Sequence, residues 1–276
     1  MRIIKNINHK WAFTKQTTEI PSAIDNKWDF VCLPHSWNAL DGQDGGNDYY
    51  RGTAIYAKEL DKEDLPEADR YYIEINGANS SADLYVGGKH LMHHNGGYST
   101  WRCDITEHIG LKTMVVIAVD NAPNDNVYPQ VADFTFYGGL YRDVNIIAVS
   151  ESHFDLDCYG GPGIKVTPAV SGKDANVEVE VFLTNHKEGQ YLQYTVLDVQ
   201  GEVVANVATD ETKVNIPIEN VHLWHGRKDP YLYTVEVNLV QEKEILDNIS
   251  TRFGCRTYEI DPEKDIQSCS AFHNAR

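Results

Sequence analysis

One carboxylate in this sequence has no evident structural purpose. Asp133 lies near the end of the polar stretch NDNVYPQVADF, and the block FYGGLYRDV, residues 136–144, begins three residues later. Carboxylates act as hydrogen-bond acceptors and, in suitable surroundings, as acids or bases. Asp133 is therefore the first candidate for a functional side chain in the chain.

The block after Asp133 indicates structure more than chemistry. Gly138 and Gly139 stand between aromatic residues, where a missing Cβ allows the backbone to bend or to approach another strand closely. Arg142 and Asp143 are expected to pin a loop through a charge-assisted hydrogen bond.

Other reactive patterns are weaker. The stretch VSGKDA, residues 170–175, lacks the glycine spacing and the hydroxyl residue of a phosphate loop. His93 and His94 are adjacent, so in a strand they point to opposite faces and make a poor metal pair. The sequence has no G-x-S-x-G nucleophile motif, and no cysteine stands at a recognisable spacing from a histidine. We expect neither a metal nor a cofactor.

The elements that must position these residues are strands. Apolar residues alternate with polar ones in ANVEVEVFLTN and YLYTVEVNLV, which is the period of a half-buried strand. Gly-Gly in YVGGKH and the turn in DVQGEVV predict hairpins. Helical periodicity is limited to short turns near EDLPEADR and DITEHIG. The pattern predicts an all-β chain of antiparallel sandwiches.

The character of the chain changes near residue 150. Long loops rich in Gly, Asn, His and Trp precede this point, and regular strands with short loops follow it. We predict a first sandwich at residues 1–150, a smaller immunoglobulin-like sandwich at 151–260 and a short tail at 261–276. Trp37, Trp101 and Trp224 are expected in the cores, with Trp37 also a candidate for stacking on a sugar ring.

Composition limits the partners. The 276 residues carry a formal net charge of −17, which opposes binding to nucleic acid or to an anionic membrane. No apolar run is long enough to span a bilayer, and the first residues lack a secretory signal. Five widely spaced cysteines without a C-x-x-C motif indicate free, mostly buried thiols. A cytoplasmic protein is the simplest expectation.

Six blocks of sequence resemble, in order, the amino-terminal half of glycoside hydrolase family 2, and its β-galactosidases in particular. The blocks are LPHSWNALDGQDGGNDYYRGTAIYAKEL, HHNGGYSTWRCDIT, VVIAVDN, FYGGLYRDV, LWHGRKDPYLYTVEV and RFGCRTYEIDPEK. The resemblance covers residues 1–264. It implies a jelly-roll sugar-binding (galactose-binding-like) domain, then an immunoglobulin-like domain, with a (β/α)8 barrel carrying the catalytic glutamates after them.

The resemblance also implies roles for particular residues. Asp133 matches an aspartate that reaches from the first domain into the active site and contacts the terminal sugar. Asn47, Asp48 and Arg51, in the block GGNDYYRG, are further candidate substrate-binding residues. No catalytic residue is assigned within this chain.

Length decides the expected activity. A retaining glycosidase holds two carboxylates about 5 to 5.5 Å apart, and a barrel that positions them needs about 250 residues. Only 16 residues follow Ile260. We therefore expect a non-catalytic portion of a family 2 enzyme, inactive by itself. The final DIQSCSAFHNAR does not resemble the family, and a frameshift, an early stop or a divergent relic are hypotheses for it.

Two alternatives remain open at this stage. One is a free-standing carbohydrate-binding module that holds a β-galactoside or a related sugar weakly. The other is an assembly module that packs against the missing barrel or helps to build a homo-oligomer.

Overall fold

The computed structural model describes residues 1–39, 49–128, 135–158, 160–261 and 265–269, with the backbone alone for 259–261 and 265–269. The chain divides into two compact units, Arg2–Val149 and the residues from Ser150 onward together with Met1. Within the described residues there is no α-helix, and none of the helical turns is long and apolar enough to cross a membrane.

The first unit contains ten strands in two antiparallel sheets. The strands are β1 (Ile3–Asn6), β2 (Trp11–Thr14), β3 (Asp29–Val31), β4 (Thr53–Asp61), β5 (Arg70–Ile75), β6 (Ser81–Val86), β7 (Lys89–Asn95), β8 (Trp101–Asp104), β9 (Lys112–Asp120) and β10 (Val144–Val149). One sheet has the order β1-β10-β5-β8 and the other β3-β2-β4-β9-β6-β7. Single-turn 3₁₀ helices occur at Lys62–Asp64 and Thr106–His108, where the sequence predicts short turns.

The two sheets enclose one core. Ile73 and Ile146 from the four-stranded sheet pack with Tyr56 and Ile117 from the six-stranded sheet, and all four are fully buried. The outer face of the six-stranded sheet is also covered around Ile55, which explains why β4 and β9 carry apolar residues on both faces. The predicted sandwich is therefore present, with two central strands buried on both sides.

The second unit is a smaller sandwich. Its strands are β11 (His153–Phe154), β12 (Ile164–Ser171), β13 (Asp174–Val181), β14 (Leu183–Thr184), β15 (Gln190–Leu197), β16 (Val203–Thr209), β17 (Lys213–Ile218), β18 (Tyr233–Gln241), β19 (Glu244–Phe253), β20 (Thr257–Asp261) and β21 (Asp265–Cys269). A sheet β12-β13-β17 faces a sheet β16-β15-β18-β19, while β11-β14 and β20-β21 form separate pairs.

Alternation along these strands is confirmed. Val177 and Val179 of β13 are fully buried while Glu178 between them is half-buried, and Val235 and Val237 of β18 repeat the pattern. Each pair fills the core between the two sheets of the unit. The all-β prediction of two consecutive sandwiches is therefore correct.

The predicted hairpin turns are also confirmed. Gly87 and Gly88 join β6 to β7 with φ angles of 57° and 79°, which suit the left-handed turn of a two-residue hairpin. Between β15 and β16, the Asp198 carboxylate accepts hydrogen bonds from the backbone N–H groups of Gln200 and Glu202. Gly201 adopts φ 84° in the same turn.

The four cysteines whose side chains the structure describes form no disulfide with one another. Cys103 and Cys255 are buried, Cys158 is half-buried and Cys32 is exposed. Burial raises the pKa of the Cys255 thiol to about 11. The expectation that thiols are not joined in disulfides agrees with these four residues, although Cys32 lies on the surface.

Candidate functional site

The candidate site lies at one end of the β4–β9 pair, where Thr53 at the start of β4 is paired with Asp120 at the end of β9. Two irregular segments meet at this place. We call residues 49–52 the first root and residues 136–138 the second root, since each continues the chain from a segment that carries predicted sugar contacts. Asn47, Asp48 and Asp133 themselves lie outside the described residues. Of the four predicted substrate-binding residues, Arg51 is described.

Asn38 links both roots through its side-chain amide. Its Oδ1 accepts hydrogen bonds from the Gly138 backbone N–H at 2.6 Å and from Asn121 Nδ2 at 3.1 Å. Its Nδ2 donates to the Tyr50 carbonyl at 2.9 Å. Asn38 is 1% exposed, so these bonds satisfy an amide that is removed from water.

Asn121 links the same roots in the opposite sense. Its Oδ1 accepts from the Gly52 backbone N–H at 2.9 Å, and its Nδ2 donates to the Phe136 carbonyl at 3.1 Å. The residue follows β9 directly and is fully buried. The two asparagines thus form a buried polar pair beneath both roots.

Direct contacts between the roots add to this pair. The Tyr49 hydroxyl accepts a hydrogen bond from the Phe136 backbone N–H at 2.7 Å and donates to the Phe136 carbonyl at 3.2 Å. Arg51 Nε donates to the Asn121 carbonyl at 2.7 Å. Its guanidinium lies 5.3 Å from the centre of the Phe136 ring, a cation–π contact. Arg51 is half-buried, and its role as a sugar contact stays a prediction.

The two glycines of the block FYGGLYRDV permit this close packing. A Cβ on Gly138 would lie 2.1 Å from Trp37 Cζ2 and 2.8 Å from Asn121 Cγ. Gly139 has φ 128°, and a Cβ there would lie 2.5 Å from the His35 carbonyl oxygen. The expectation that the Gly-Gly pair serves a close approach is therefore confirmed.

Aromatic side chains form the floor beneath the roots. Trp37 is 7% exposed and stacks with Phe13 at 6.2 Å, while Phe13 lies 4.9 Å from Tyr56. His35 Nδ1 lies 2.7 Å from the Tyr56 hydroxyl. Burial raises the pKa of Tyr56 and lowers the pKa of His35. Trp37 is a core residue, in agreement with the main prediction for it.

The lowered pKa of His35 predicts an acid-sensitive first unit. Burial is the main cause, the charge of Lys15 adds to it and the charge of Asp29 opposes it. The unfolded chain then binds a proton near the ordinary value of 6.5, before the folded state does. The stability that depends on neutral His35 is therefore full above that pH and is lost as the pH falls from it through the lowered pKa of the folded state.

Urea unfolding of the chain at pH values above and below 6.5 measures this loss of stability in the first unit. We expect His35→Gln to reduce the pH dependence of the free energy of unfolding, whereas His186→Gln, at an exposed histidine of the second unit, leaves it unchanged. Equal pH dependence in the wild type and His35→Gln would contradict the assignment. The pKa of His94 is also lowered mainly by burial, so His94 accounts for the pH dependence of the free energy of unfolding that remains in His35→Gln.

Arg142 and Asp143 each pin a separate segment. Arg142 Nη1 donates to the Tyr98 carbonyl at 2.8 Å, and Asp143 Oδ1 accepts from Asn8 Nδ2 at 2.7 Å. The sequence indicates a loop-pinning role for this pair, and the structure shows two loops held by two side chains.

An aromatic groove adjoins the second root. Asn79, Tyr98, Thr135, Phe136, Tyr137 and Tyr141 line a cavity of about 290 Å³. Tyr98 and Tyr137 are 60% and 52% exposed. The tyrosine faces present apolar surface with polar edges, which suits contact with a sugar ring or with another protein surface. Sequence reasoning did not select these tyrosines.

The adjacent histidines do point to opposite faces. His93 Nδ1 lies 3.0 Å from Asp83 Oδ1, whereas His94 Nε2 lies 3.0 Å from the Ser99 hydroxyl and its ring stacks on Trp101 at 5.2 Å. Across the part of the chain that the structure describes, no group of three or more His, Cys, Asp or Glu side chains is arranged to hold a metal ion.

Buried carboxylates have structural partners. Among the described residues the buried acidic side chains are Glu74 and Asp247, which belong to different units. Glu74 pairs with Arg102 Nε at 2.7 Å, and Asp247 Oδ2 accepts from the Phe154 backbone N–H at 2.9 Å. The burial of each carboxylate is therefore explained by a structural partner, unlike that of the two closely spaced carboxylates that perform the chemistry of a glycosidase.

Comparison with known families gives two matches in consecutive order. The profile described as "Glycosyl hydrolases family 2, sugar binding domain" matches residues 4–150. The profile described as "Glycosyl hydrolases family 2" matches residues 162–256.

Individual proteins agree with these matches. A β-glucuronidase of Bacteroides fragilis is 31% identical over 87% of this chain, and a β-galactosidase of Thermoanaerobacter pseudethanolicus is 27% identical over 94%. The crystal structure of an FMN-binding β-glucuronidase from Faecalibacterium prausnitzii L2-6 superposes over 97% of this chain with a TM-score of 0.88 and 37% identity. The chain spans only 38%, 36% and 41% of these three proteins, respectively.

Proposed function

The chain belongs to glycosyl hydrolase family 2, and from this we propose that it serves as the non-catalytic amino-terminal portion of a β-galactosidase-like or β-glucuronidase-like enzyme. Its first unit corresponds to the sugar-binding domain of the family and its second to the immunoglobulin-like domain. The catalytic barrel is absent from these 276 residues. The observation that carries the proposal is the order of the two family matches within a chain that spans about two fifths of its relatives.

In this proposal the first unit contributes to substrate binding and the barrel performs the chemistry. Asp133, Asn47, Asp48 and Arg51 are the proposed sugar contacts. The two roots support this role because Arg51 lies in the first root, and the roots are hydrogen-bonded to each other between Tyr49 and Phe136.

The sugar of the whole enzyme is proposed to be a β-galactoside or a β-glucuronide. The blocks of the first domain favour a galactosidase in the sequence analysis, whereas the relatives include proteins of both names. Specificity depends on the groups that converge on the sugar, and the barrel supplies its own share of them.

Titration calorimetry of the isolated chain tests the proposal. Because one loop offers only part of a pocket, we expect a dissociation constant of about a millimolar or weaker for methyl β-galactoside and methyl β-glucuronide, or about −4 kcal/mol. Because Asp133 is a proposed sugar contact, Asp133→Ala is expected to weaken this signal further. Micromolar binding of either sugar would contradict the proposal and would instead favour a free-standing carbohydrate-binding module.

A further inference from the structure

We propose that Asn38 and Asn121 are positioning residues that couple the first root, which carries the proposed sugar contact Arg51, to the second root. This inference deepens the proposed function and rests on it for its purpose. The coupling itself is a property of described residues alone.

The hydrogen bonds of the two amides are reciprocal. Asn38 uses its oxygen for the second root, at Gly138, and its nitrogen for the first root, at Tyr50. Asn121 uses its oxygen for the first root, at Gly52, and its nitrogen for the second root, at Phe136. Each side chain therefore spans both roots.

Only a primary amide meets this requirement. It presents an acceptor and a donor side by side at the end of a short side chain, whereas a carboxylate lacks the donor and an apolar residue lacks both. The amides also bond to each other, from Asn121 Nδ2 to Asn38 Oδ1 at 3.1 Å. Removing Asn38 takes the acceptor from the Gly138 N–H, and removing Asn121 takes the acceptor from the Gly52 N–H.

The two asparagines join segments of backbone that lie outside the β-sheets. Residues 49–52 and 136–138 have no strand ladder to fix their separation. Asn38 and Asn121 are 83 residues apart in sequence, yet both lie beneath these two segments. Strands elsewhere in the unit are held by ladders of backbone hydrogen bonds, and this polar pair supplies side-chain hydrogen bonds between two segments outside those ladders.

Amide hydrogen exchange in the isolated chain tests the coupling. In Asn121→Ala, Gly52 loses its acceptor, while the acceptor of Gly138, Asn38 Oδ1, is untouched. We expect the exchange of both amides to accelerate at least about tenfold, because opening one root releases the other. Acceleration at Gly52 alone would overturn the proposal, since it would show that the roots are pinned independently.

A conservative variant separates positioning from general stability. Asn121→Asp keeps the acceptor for Gly52 and removes the donor for Phe136. Because opening the second root releases the first, we expect Gly52 to exchange faster than in the wild type even though its acceptor is kept. Wild-type protection at Gly52 beside rapid exchange at Gly138 would overturn the proposal. The same protection at both roots as in the wild type would overturn the proposal.

Asn145→Ala is the matched control. Asn145 is 9% exposed and donates to Glu74 in the same unit, away from both roots. Its loss is expected to lower the free energy of unfolding without selective exchange at Gly52 or Gly138, and selective exchange there would count against the coupling. Because no sugar is present, this result is independent of calorimetry: failure of sugar binding refutes the proposed function, and failure of the exchange pattern refutes the coupling.

Discussion

Purified by itself, the chain is expected to hydrolyse neither an aryl β-galactoside nor an aryl β-glucuronide. Enzymes accelerate such reactions by at least about 10⁶-fold, and the expected loss relative to a whole family 2 enzyme is of that order or greater. The reason is that the barrel, which holds the two carboxylates of a retaining glycosidase about 5 to 5.5 Å apart, is absent from these 276 residues. The buried carboxylates of the described residues are already engaged in structural bonds.

A chromogenic assay from mildly acidic to mildly alkaline pH measures this loss. The β-glucuronidase of Bacteroides fragilis, which extends well beyond the region matched here, provides the positive control. Turnover that co-purifies with the chain and disappears when one Asp or Glu is replaced would refute the proposed function. Turnover unaffected by every such replacement would point to a contaminating enzyme.

The second large effect concerns Gly138. Replacing it with alanine places a Cβ 2.1 Å from the indole of Trp37, which is itself packed in the core. Overpacking of this kind costs about 3 kcal/mol, and the side chain cannot escape because Asn121 lies on the same side at 2.8 Å. We expect the melting temperature of the first unit to fall by about 6 to 12 °C.

Gly110→Ala is the comparison for this change. A Cβ at Gly110 meets no atom closer than 3.8 Å, and neither glycine has a positive φ, so only the packing differs between the two variants. Gly110→Ala is expected to shift the melting temperature little. A similar small shift for Gly138→Ala in differential scanning calorimetry would show that the indole moves aside easily.

Local patterns predicted the fold well because strand formation depends on nearby residues. The alternation around Val177 and Val235 identifies buried faces directly, and Gly87-Gly88 identifies a hairpin from two residues. The family resemblance is also confirmed, since five of its six blocks fall within the two matched regions and the sixth, residues 252–264, begins inside the second region. A short sequence window contains the information for each of these features.

The candidate site depends on contacts between distant residues, which no short window contains. Asn38 and Asn121 lie in two of the blocks that resemble family 2, yet nothing in either block indicates that the two amides are hydrogen-bonded to each other. Arg142 and Asp143 illustrate the same limit, because their bonding partners lie far away in sequence. The amide pair becomes visible only after the chain has folded.

The glycine tip between β6 and β7 offers a practical opening for tagging. Atoms placed at Gly87 or Gly88 meet nothing within 4 Å, and the tip joins the outermost strand of its sheet to the rest. A peptide epitope or a small fluorescent domain inserted between these glycines should leave both sandwiches intact, because exposed loop tips tolerate insertions best. Such a tag would allow the chain to be followed in cells without altering either terminus.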